Sequence, residues 1–177
     1  MNKNNHNIKL RVPEPEDIET LVSWENDASI WHAGITTIPY SRFEVEQFIL
    51  KNQNDAFQEK QVRFLITLAS NNKSIGTADL FDINALHRRA GIGIMIVKEY
   101  RNKGYAKEAL QLIEEYAFKS LWLQQIYANI HANNSISIEL FKTAGFDHNG
   151  TKKAWIRTPH NFLDELFMQK LNPEYHG

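Results

Sequence analysis

Apolar side chains recur along this chain with two different periods, and each period predicts one kind of element. Alternation of apolar and polar residues is typical of half-buried strands, whereas recurrence at three- and four-residue intervals is typical of helices. The alternating segments predict strands over 8–12, 62–69, 74–83, 91–97, 125–131, 146–157 and 162–170. The helical spacing predicts helices over 15–26, 41–54, 106–117 and 133–144.

Residues at the ends of these segments support their boundaries. Pro15 suits the first turn of a helix, and Ser41 with Glu44 three residues later forms a capping box. The strand–helix–strand unit in the middle of the chain requires a right-handed parallel crossover, and the flanking hairpins require antiparallel strands. The sequence therefore predicts an α/β fold of the mixed α+β type, with helices on both faces of one sheet.

The central stretch, 91–117, combines a buried strand, a basic turn with a glycine and an amphipathic helix. The first N–H groups of a helix lack intrahelical partners and, with the helix dipole, attract anions. Gly104 lets a ligand approach the backbone, and Arg101 and Lys103 add positive charge. The turn predicts a site for a phosphate-bearing ligand, with a plain surface turn as the alternative. Neither a P-loop nor a G-x-G-x-x-G turn at a helix start is present.

Two blocks of the sequence resemble motifs of the GNAT acyl-CoA N-acyltransferases. Arg101-x-x-Gly104-x-Ala106 is similar to that family's pyrophosphate-binding motif, [QR]-x-x-G-x-[GA], which also follows a strand. Residues 132–146, ANNSISIELFKTAGF, resemble the family's later helix, N-x-x-S/A-I-x-L-[YF]-x-K-x-G-F. Residues 82–94, DINALHRRAGIGI, are especially similar to the spermidine N-acetyltransferases, and the ribosomal-protein N-acetyltransferases are the other similar branch.

The resemblance extends over nearly the whole chain and implies both a fold and an activity. It implies a single three-layer GNAT-like domain over 8–172, with a mixed, mostly antiparallel sheet of about seven strands, after a flexible tail over 1–7. It also implies acetyl transfer from acetyl-CoA, as co-substrate, to a primary amine by direct attack and without a metal. Because relatives are often dimers or larger rings, a homo-oligomer is expected.

The resemblance also assigns the residues that would hold the cofactor. The backbone of Ile94, Met95 and Ile96 would pair with the pantetheine arm, with an N–H of Met95 or Ile96 facing the thioester oxygen. Asn134 would hydrogen-bond the pantetheine, although a helix cap is its alternative role. The pyrophosphate would be held by the turn formed by Arg101, Asn102, Lys103, Gly104, Tyr105 and Ala106.

One position departs from the pattern of the family. Many members have a tyrosine where this chain has Phe141, and that tyrosine is taken to protonate the departing thiolate. Phe141 can contact the cofactor but has no proton to give. Ser137 lies one helical turn earlier on the same face, where the ribosomal-protein branch has a serine. We therefore expect Ser137 to be the proton donor or a water anchor, with close packing as its alternative role.

The sequence contains several candidates for the group that takes a proton from the attacking ammonium. These candidates are Asp79, Asp82, His87, Glu25 and His131. Asp82 occupies a place where the spermidine enzymes have an acid, so it is ranked first as a substrate-side group. Each candidate has a simple alternative role as a solvated surface side chain.

The acceptor amine is the least determined part of the interpretation. A polyamine, a diamine or another small amine is expected from the resemblance to spermidine enzymes. Those enzymes carry paired acids in the loop after the first helix, whereas residues 35–40, ITTIPY, contain none. An N-terminal amine of a ribosomal protein or peptide therefore remains the alternative acceptor.

Composition excludes several classes of protein. The chain has 177 residues, a net charge of −1 and no cysteine, which disfavours a nucleic-acid binder and excludes a thiolate nucleophile. No apolar run is long enough for a membrane span, and the polar start lacks a signal-peptide core. A cytoplasmic protein without nucleic-acid or membrane partners is expected. The alternative from another class is a non-catalytic acyl-CoA-binding module, which Phe141 favours.

Overall fold

A computed structural model describes residues 6–27, 38–52 and 54–174 of the chain. The strands are β1 (Ile8–Arg11), β2 (Val62–Leu68), β3 (Ser74–Asn84), β4 (Arg89–Ile96), β5 (Gln125–His131), β6 (Asp147–Arg157) and β7 (Phe162–Leu171). The helices are α1 (Ile18–Glu25), α2 (Arg42–Lys51), α3 (Ala56–Glu59), α4 (Tyr105–Glu115) and α5 (Ser135–Thr143).

The strands form one mixed sheet of seven, which confirms the predicted fold class. Their order across the sheet is β1-β2-β3-β4-β5-β7-β6. The pair β4–β5 is parallel and is joined through α4, whereas the other neighbouring strands are antiparallel. The predicted strand–helix–strand unit is therefore the crossover at the centre of the sheet.

Helices lie on both faces of the sheet, as predicted. α4 and α5 contribute Leu110 and Phe141 to the larger core cluster. On the opposite face, α1 and α2 pack Leu21 and Ile49 around Leu65 of β2 in a second cluster. α1 and α2 pack against β2. The face of the sheet on which they lie continues beyond β2 over β4, β5 and β7.

Several local signals formed as the sequence predicted, and one element was missed. The capping box at the start of α2 is present, with Ser41 Oγ accepting from the N–H of Glu44 at 3.2 Å. The predicted helix over 15–26 begins as a 3₁₀ turn, Pro15–Asp17, before α1. The missed helix is α3, capped by Asp55, whose carboxylate accepts from the N–H of Phe57 at 2.9 Å. Its four residues are too few to show a helical period.

The last two residues of the predicted tail over 1–7 are anchored rather than free. Nδ1 of His6 lies 3.1 Å from the carboxylate of Glu108 in α4, and the N–H of Asn7 donates to the same carboxylate. The carbonyl of Asn7 also accepts from the N–H of Ala69 at 2.8 Å. The other tail residues and most of the predicted loop over 27–40 lie outside the described residues.

The pairing of β4 with β5 is short. Residues 89–91 of β4 pair with residues 125–127 of β5, and within the described part of the chain no strand pairs with the same side of β4 beyond Gly91. We call the segment from Ile92 to Ile96, on the side that faces β5, the open edge of β4. The two central strands therefore diverge after three paired residues and leave backbone polar groups at the open edge.

A partly buried charge cluster joins α1 to the sheet. Arg63 of β2 forms ion pairs with Glu25 of α1 and with Asp79 of β3, the latter at 2.5 Å, and we call these three residues the Arg63 cluster. The guanidinium also lies 5.0 Å from the centre of the Phe48 ring. Burial alone would lower the pKa of Arg63, but attraction to the two carboxylates raises it. The cluster fixes α1 and α2 over the β2–β3 half of the sheet.

Candidate active site

The backbone direction along β4 determines which polar groups lie at the open edge. The N–H of Val97 donates to the carbonyl of Ile75 on the β3 side at 2.9 Å. A methyl group built at Gly76 of β3 would collide with the carbonyl oxygen of Met95, which therefore also points towards β3. Because the direction alternates along a strand, the polar groups of Ile94 and Ile96 lie at the open edge. Of the two residues expected to face the thioester oxygen, Ile96 is therefore the better-placed donor, and the backbone contact of Met95 with the cofactor stays a prediction.

The turn before α4 has the backbone geometry expected of an anion site. Gly104 has a φ of +82°, precedes the first residue of α4, and would have no atom within 4 Å of an added methyl group. Its carbonyl already accepts the N–H groups of Lys107 and Glu108 at 3.1 and 3.2 Å. The N–H groups of Tyr105 and Ala106 belong to the first turn, where no intrahelical acceptor exists. A phosphate could therefore reach these N–H groups without a side-chain clash.

The side chains of the turn are exposed and add positive charge beside the open edge. Arg101 Nε donates to the carbonyl of Ile96 at 2.8 Å, which holds the guanidinium at the end of β4. Nζ of Lys103 lies 5.0 Å above the ring of Tyr100. Asn102 has a φ of +60°, which turns the chain towards Gly104. The turn therefore lies directly beside the end of the open edge.

The later helix, α5, begins where β5 ends. The side-chain oxygen of Asn134 accepts from the N–H of Ser137 at 3.1 Å, so Asn134 caps α5. The cap uses only the oxygen of this amide, and Nδ2, its donor group, takes no part in it. Ser137 is half-buried. Phe141 is 5% exposed and packs edge-on against Phe146 with ring centres 4.9 Å apart. Phe141 is a core residue, so any cofactor contact is limited to its small exposed edge.

The structure separates the five candidates for the proton acceptor. Asp79 and Glu25 belong to the Arg63 cluster, and Asp79 also accepts from Thr77 Oγ1 at 3.3 Å. His87 is exposed in the turn between β3 and β4, where its N–H is bonded to the Asn84 side chain. His131 is the half-buried last residue of β5. Only His131 lies at the end of the sheet where β4 and β5 have diverged.

β4 and β5 separate after Gly91 and Tyr127, and we call the space between them the split and its paired end the closed end. Asp82, the fifth candidate, lies at this closed end. It follows Phe81, which pairs with Gly91, and it has a φ of +50° at a register shift between β3 and β4. Its carboxylate lies 3.4 Å from the hydroxyl of Tyr127, the last β5 residue that pairs with β4. Asp82 is exposed. It is therefore an acid at the rim of the split and not at the open edge.

The Tyr127 side chain is a site residue that sequence reasoning missed. Its ring stacks on Phe167 with centres 5.5 Å apart and meets Phe81 edge-on at 6.3 Å. Burial first, and the carboxylate of Asp82 second, raise the pKa of the Tyr127 hydroxyl, which therefore stays protonated and donates. The alternation of β5 could have placed Tyr127 on this face, but the pairing with Asp82 depends on the sheet order.

The arrangement suits one kind of ligand. The open edge offers backbone donors and acceptors to an extended amide-containing arm, as an added strand would. The N-terminus of α4 begins at the end of that edge and suits a diphosphate. Coenzyme A carries both groups in this order, so the residues present fit it. Among the described residues, no group of three or more His, Asp and Glu side chains could hold a metal, and no helix could span a membrane.

Comparison with known proteins agrees with this geometry. Residues 7–147 match the acetyltransferase (GNAT) domain family. The spermidine N(1)-acetyltransferase of Escherichia coli K12 is 31% identical over 146 residues, which cover 82% of this chain and 75% of that protein.

Solved structures of a spermidine N-acetyltransferase from Vibrio cholerae have the same fold. The complex with CoA and spermine superposes with a TM-score of 0.82 at 26% identity and covers 94% of this chain and 96% of that one. A dodecameric structure in an intermediate state gives a TM-score of 0.79 at 27% identity, with 94% and 95% covered. The family match covers well over half of the chain. This protein therefore belongs to the GNAT family of N-acetyltransferases.

Proposed function

We propose that this protein transfers the acetyl group of acetyl-CoA to a primary amine of an aliphatic polyamine or diamine. The observation that carries the proposal is the continuity of the open edge of β4 with the Gly104 turn at the start of α4. The similarity to spermidine acetyltransferases, one of them solved with CoA and spermine, supports the class of acceptor. The dodecameric relative supports self-association of this chain as well.

In the proposed complex, the cofactor lies along the open edge. The polar groups of Ile94 and the N–H of Ile96, whose carbonyl is held by Arg101, pair with the pantetheine arm, and the side-chain amide of Asn134 reaches it from α5. The pyrophosphate lies on the first N–H groups of α4, over Gly104, with Arg101 beside it. An N–H at Ile96 or Ile94 then faces the thioester oxygen and stabilises the charge that develops there.

Ser137 is the proposed proton donor or water anchor for the departing sulfur. Replacing it by alanine is expected to lower kcat by about 100-fold, the lower range for a positioned general acid. The affinity for acetyl-CoA should change little, because Ser137 is not among the residues that hold the diphosphate. Steady-state kinetics and calorimetric titration with CoA measure the two quantities. Ser135→Ala, at the exposed start of α5, is the matched control; equal turnover in both variants would make Ser137 a packing residue.

Asp82 is proposed to hold the second ammonium of the acceptor together with the hydroxyl of Tyr127. Gly91, beside Asp82, precedes Ile94 by three residues, which is about 10 Å along a strand. That separation is too great for direct proton transfer, which needs about 3 Å, but it suits the far end of an extended diamine. The aromatic faces of Phe81 and Tyr127 favour an ammonium at the same place.

The replacement Asp82→Asn is expected to raise the KM for a diamine about tenfold or more, as the loss of a charged hydrogen bond would. The KM for a monoamine of equal length should not change, since it has no second ammonium. Initial rates with matched pairs of amines measure both values. An equal effect on both amines would contradict the assignment of Asp82 to the distal ammonium.

The experiment that tests the function is a screen of amines with acetyl-CoA, in which release of the free thiol is measured. Spermidine, spermine and linear diamines are expected to be acetylated. Turnover on peptide N-termini alone would favour the ribosomal-protein activity instead. Binding of CoA without turnover on any amine would favour a non-catalytic module.

A further inference from the structure

We propose that His131 is the general base that takes a proton from the attacking ammonium. This inference rests on the proposed function and assigns a further catalytic residue at the same site. Three observations carry it: the position of His131 opposite the open edge, the face of β5 to which it belongs, and the absence of a side-chain partner for it among the described residues.

The register of the sheet places His131 across the split from the open edge. Tyr127 pairs with Gly91, and parallel strands advance by nearly the same rise per residue. Four residues further along each strand, His131 is therefore level with Met95, between Ile94 and Ile96. The divergence of β4 and β5 leaves room there for the thioester and the amine between the two strands.

The alternation of β5 places the imidazole on the face that α1 and α2 share. Tyr127 stacks on Phe167 on this face, and Asn129 accepts from Nζ of Lys152 at 3.1 Å on the same face. His131 is the next residue with this direction. Among the described residues, α1 and α2 pack on β2 and leave this part of the sheet available to an approaching amine, while the cofactor would lie along the open edge.

The imidazole has no structural role that would occupy it. Among the described residues it forms no hydrogen bond, ion pair or ring contact, although it is half-buried. Its cross-strand neighbour in β7 is Glu165, which is buried and paired with Lys152 of β6 at 2.7 Å. On the opposite side of the split, the charged residues that follow β4 are Lys98, Glu99 and Arg101. Of these, Arg101 is held at the end of β4 by its bond to the carbonyl of Ile96.

The other candidates are less suited to this step. The Arg63 cluster engages Asp79 and Glu25, and the carboxylate of Asp82 lies at the closed end beside Tyr127. His87 lies in the turn that joins β3 to β4, at that same end. A histidine can accept and release a proton near neutral pH, as this step requires.

The proposed step balances as follows. The imidazole of His131 takes one proton from the ammonium, and the neutral nitrogen forms a bond to the thioester carbon as the carbon–sulfur bond breaks. The nitrogen loses its second proton, which ends on the sulfur as the free thiol. The imidazolium then releases its proton to water. One amide and one thiol are formed, and no oxidant or reductant is needed.

The test is the pH dependence of kcat/KM for an amine that the wild-type protein acetylates, compared between the wild type and His131→Gln. The variant is expected to lose about 100-fold in kcat/KM at neutral pH. Its kcat/KM should instead rise steadily with pH as more of the amine in solution becomes neutral, so the shape of its pH profile should differ from that of the wild type and its deficit should narrow at high pH. Added imidazole should restore part of the rate of His131→Ala.

The control is His87→Gln, an exposed histidine outside the proposed site, which should keep the wild-type pH profile. CoA affinity and melting temperature establish that the His131 variants are folded, and His131→Asn is a second variant. An unchanged pH profile in His131→Gln, or loss of CoA affinity in every His131 variant, would overturn the assignment. Absence of turnover by the wild-type protein on any amine would instead contradict the proposed function.

Discussion

Replacing Gly104 by glutamate is expected to abolish acetyl-CoA binding at concentrations that saturate the wild-type protein, while the fold is retained. The residue has a φ of +82°, so any side chain costs about 1–2 kcal/mol of backbone strain. No atom lies within 4 Å of an added methyl group, so the first side-chain carbon of the glutamate clashes with no described residue. Its carboxylate would instead occupy the place proposed for the pyrophosphate.

The expected loss of affinity is large because steric and electrostatic effects act together. Two unit charges about 4 Å apart near a protein surface repel by about 4 kcal/mol, and each 1.4 kcal/mol corresponds to a tenfold change in affinity. We therefore expect at least about a 100-fold increase in Kd, measured by calorimetric titration with CoA. Gly104→Ala should bind more weakly than the wild type but more tightly than Gly104→Glu, because it adds bulk without charge.

The matched control is Gly150→Glu in β6. Gly150 also has no atom within 4 Å of an added methyl group, but it lies in the terminal hairpin and not beside α4. This variant should bind CoA like the wild type. Equal affinity in the Gly104 and Gly150 variants would remove the pyrophosphate from the turn and, with it, the proposed position of the cofactor.

Replacing Arg63 by leucine is expected to destabilise the protein by about 3 kcal/mol, the lower end of the usual cost of removing one partner of a buried ion pair, because these side chains are partly exposed. The side chains of Glu25 and Asp79 are 27% and 20% exposed, and both would lose Arg63 as their positively charged partner. The variant should show a lower midpoint of urea denaturation and a lower melting temperature, with little change in the m-value.

Arg42→Leu is the control for this comparison. Arg42 also pairs with two carboxylates, those of Glu19 and Glu46, but its side chain is 62% exposed. Ion pairs that are exposed to solvent contribute little to stability, so this variant should unfold close to the wild type. Neutralising Glu25 and Asp79 as glutamine and asparagine should recover part of the stability of Arg63→Leu. Similar decreases in the free energy of unfolding of both arginine variants would mean that the lower exposure of the Arg63 cluster does not increase its contribution to stability.

The parts of the fold that sequence could predict are those determined by local signals. The strands and longer helices follow from periodicity, and the α2 cap follows from Ser41 and Glu44. The Gly104 turn was also predictable, because glycine, the adjacent cations and a helix start are consecutive in the chain. By contrast, α3 is a single turn stabilised by Asp55, and four residues do not establish a period.

The parts of the site that sequence could not predict depend on pairing between distant segments. The sequence did not distinguish Met95 from Ile96 as the donor to the thioester, because the choice depends on the bond from the N–H of Val97 to β3, which fixes the direction of the preceding residues. Asp82 was grouped with the proton acceptors, whereas a register shift in β3 places it beside Tyr127 at the closed end. The role proposed for His131 depends on the register between β5 and β4, and no local sequence pattern determines that register.

In the described sheet, three residues of β4 pair with three residues of β5. Strands β1 to β4 are therefore connected to strands β5 to β7 by few hydrogen bonds across the middle of the sheet. In the proposed complex, a cofactor paired with Ile94 and Ile96 would add backbone hydrogen bonds along the open edge of β4. We therefore expect occupancy of the site to stiffen the middle of the sheet, so that the protein would be most rigid while it holds the acetyl donor.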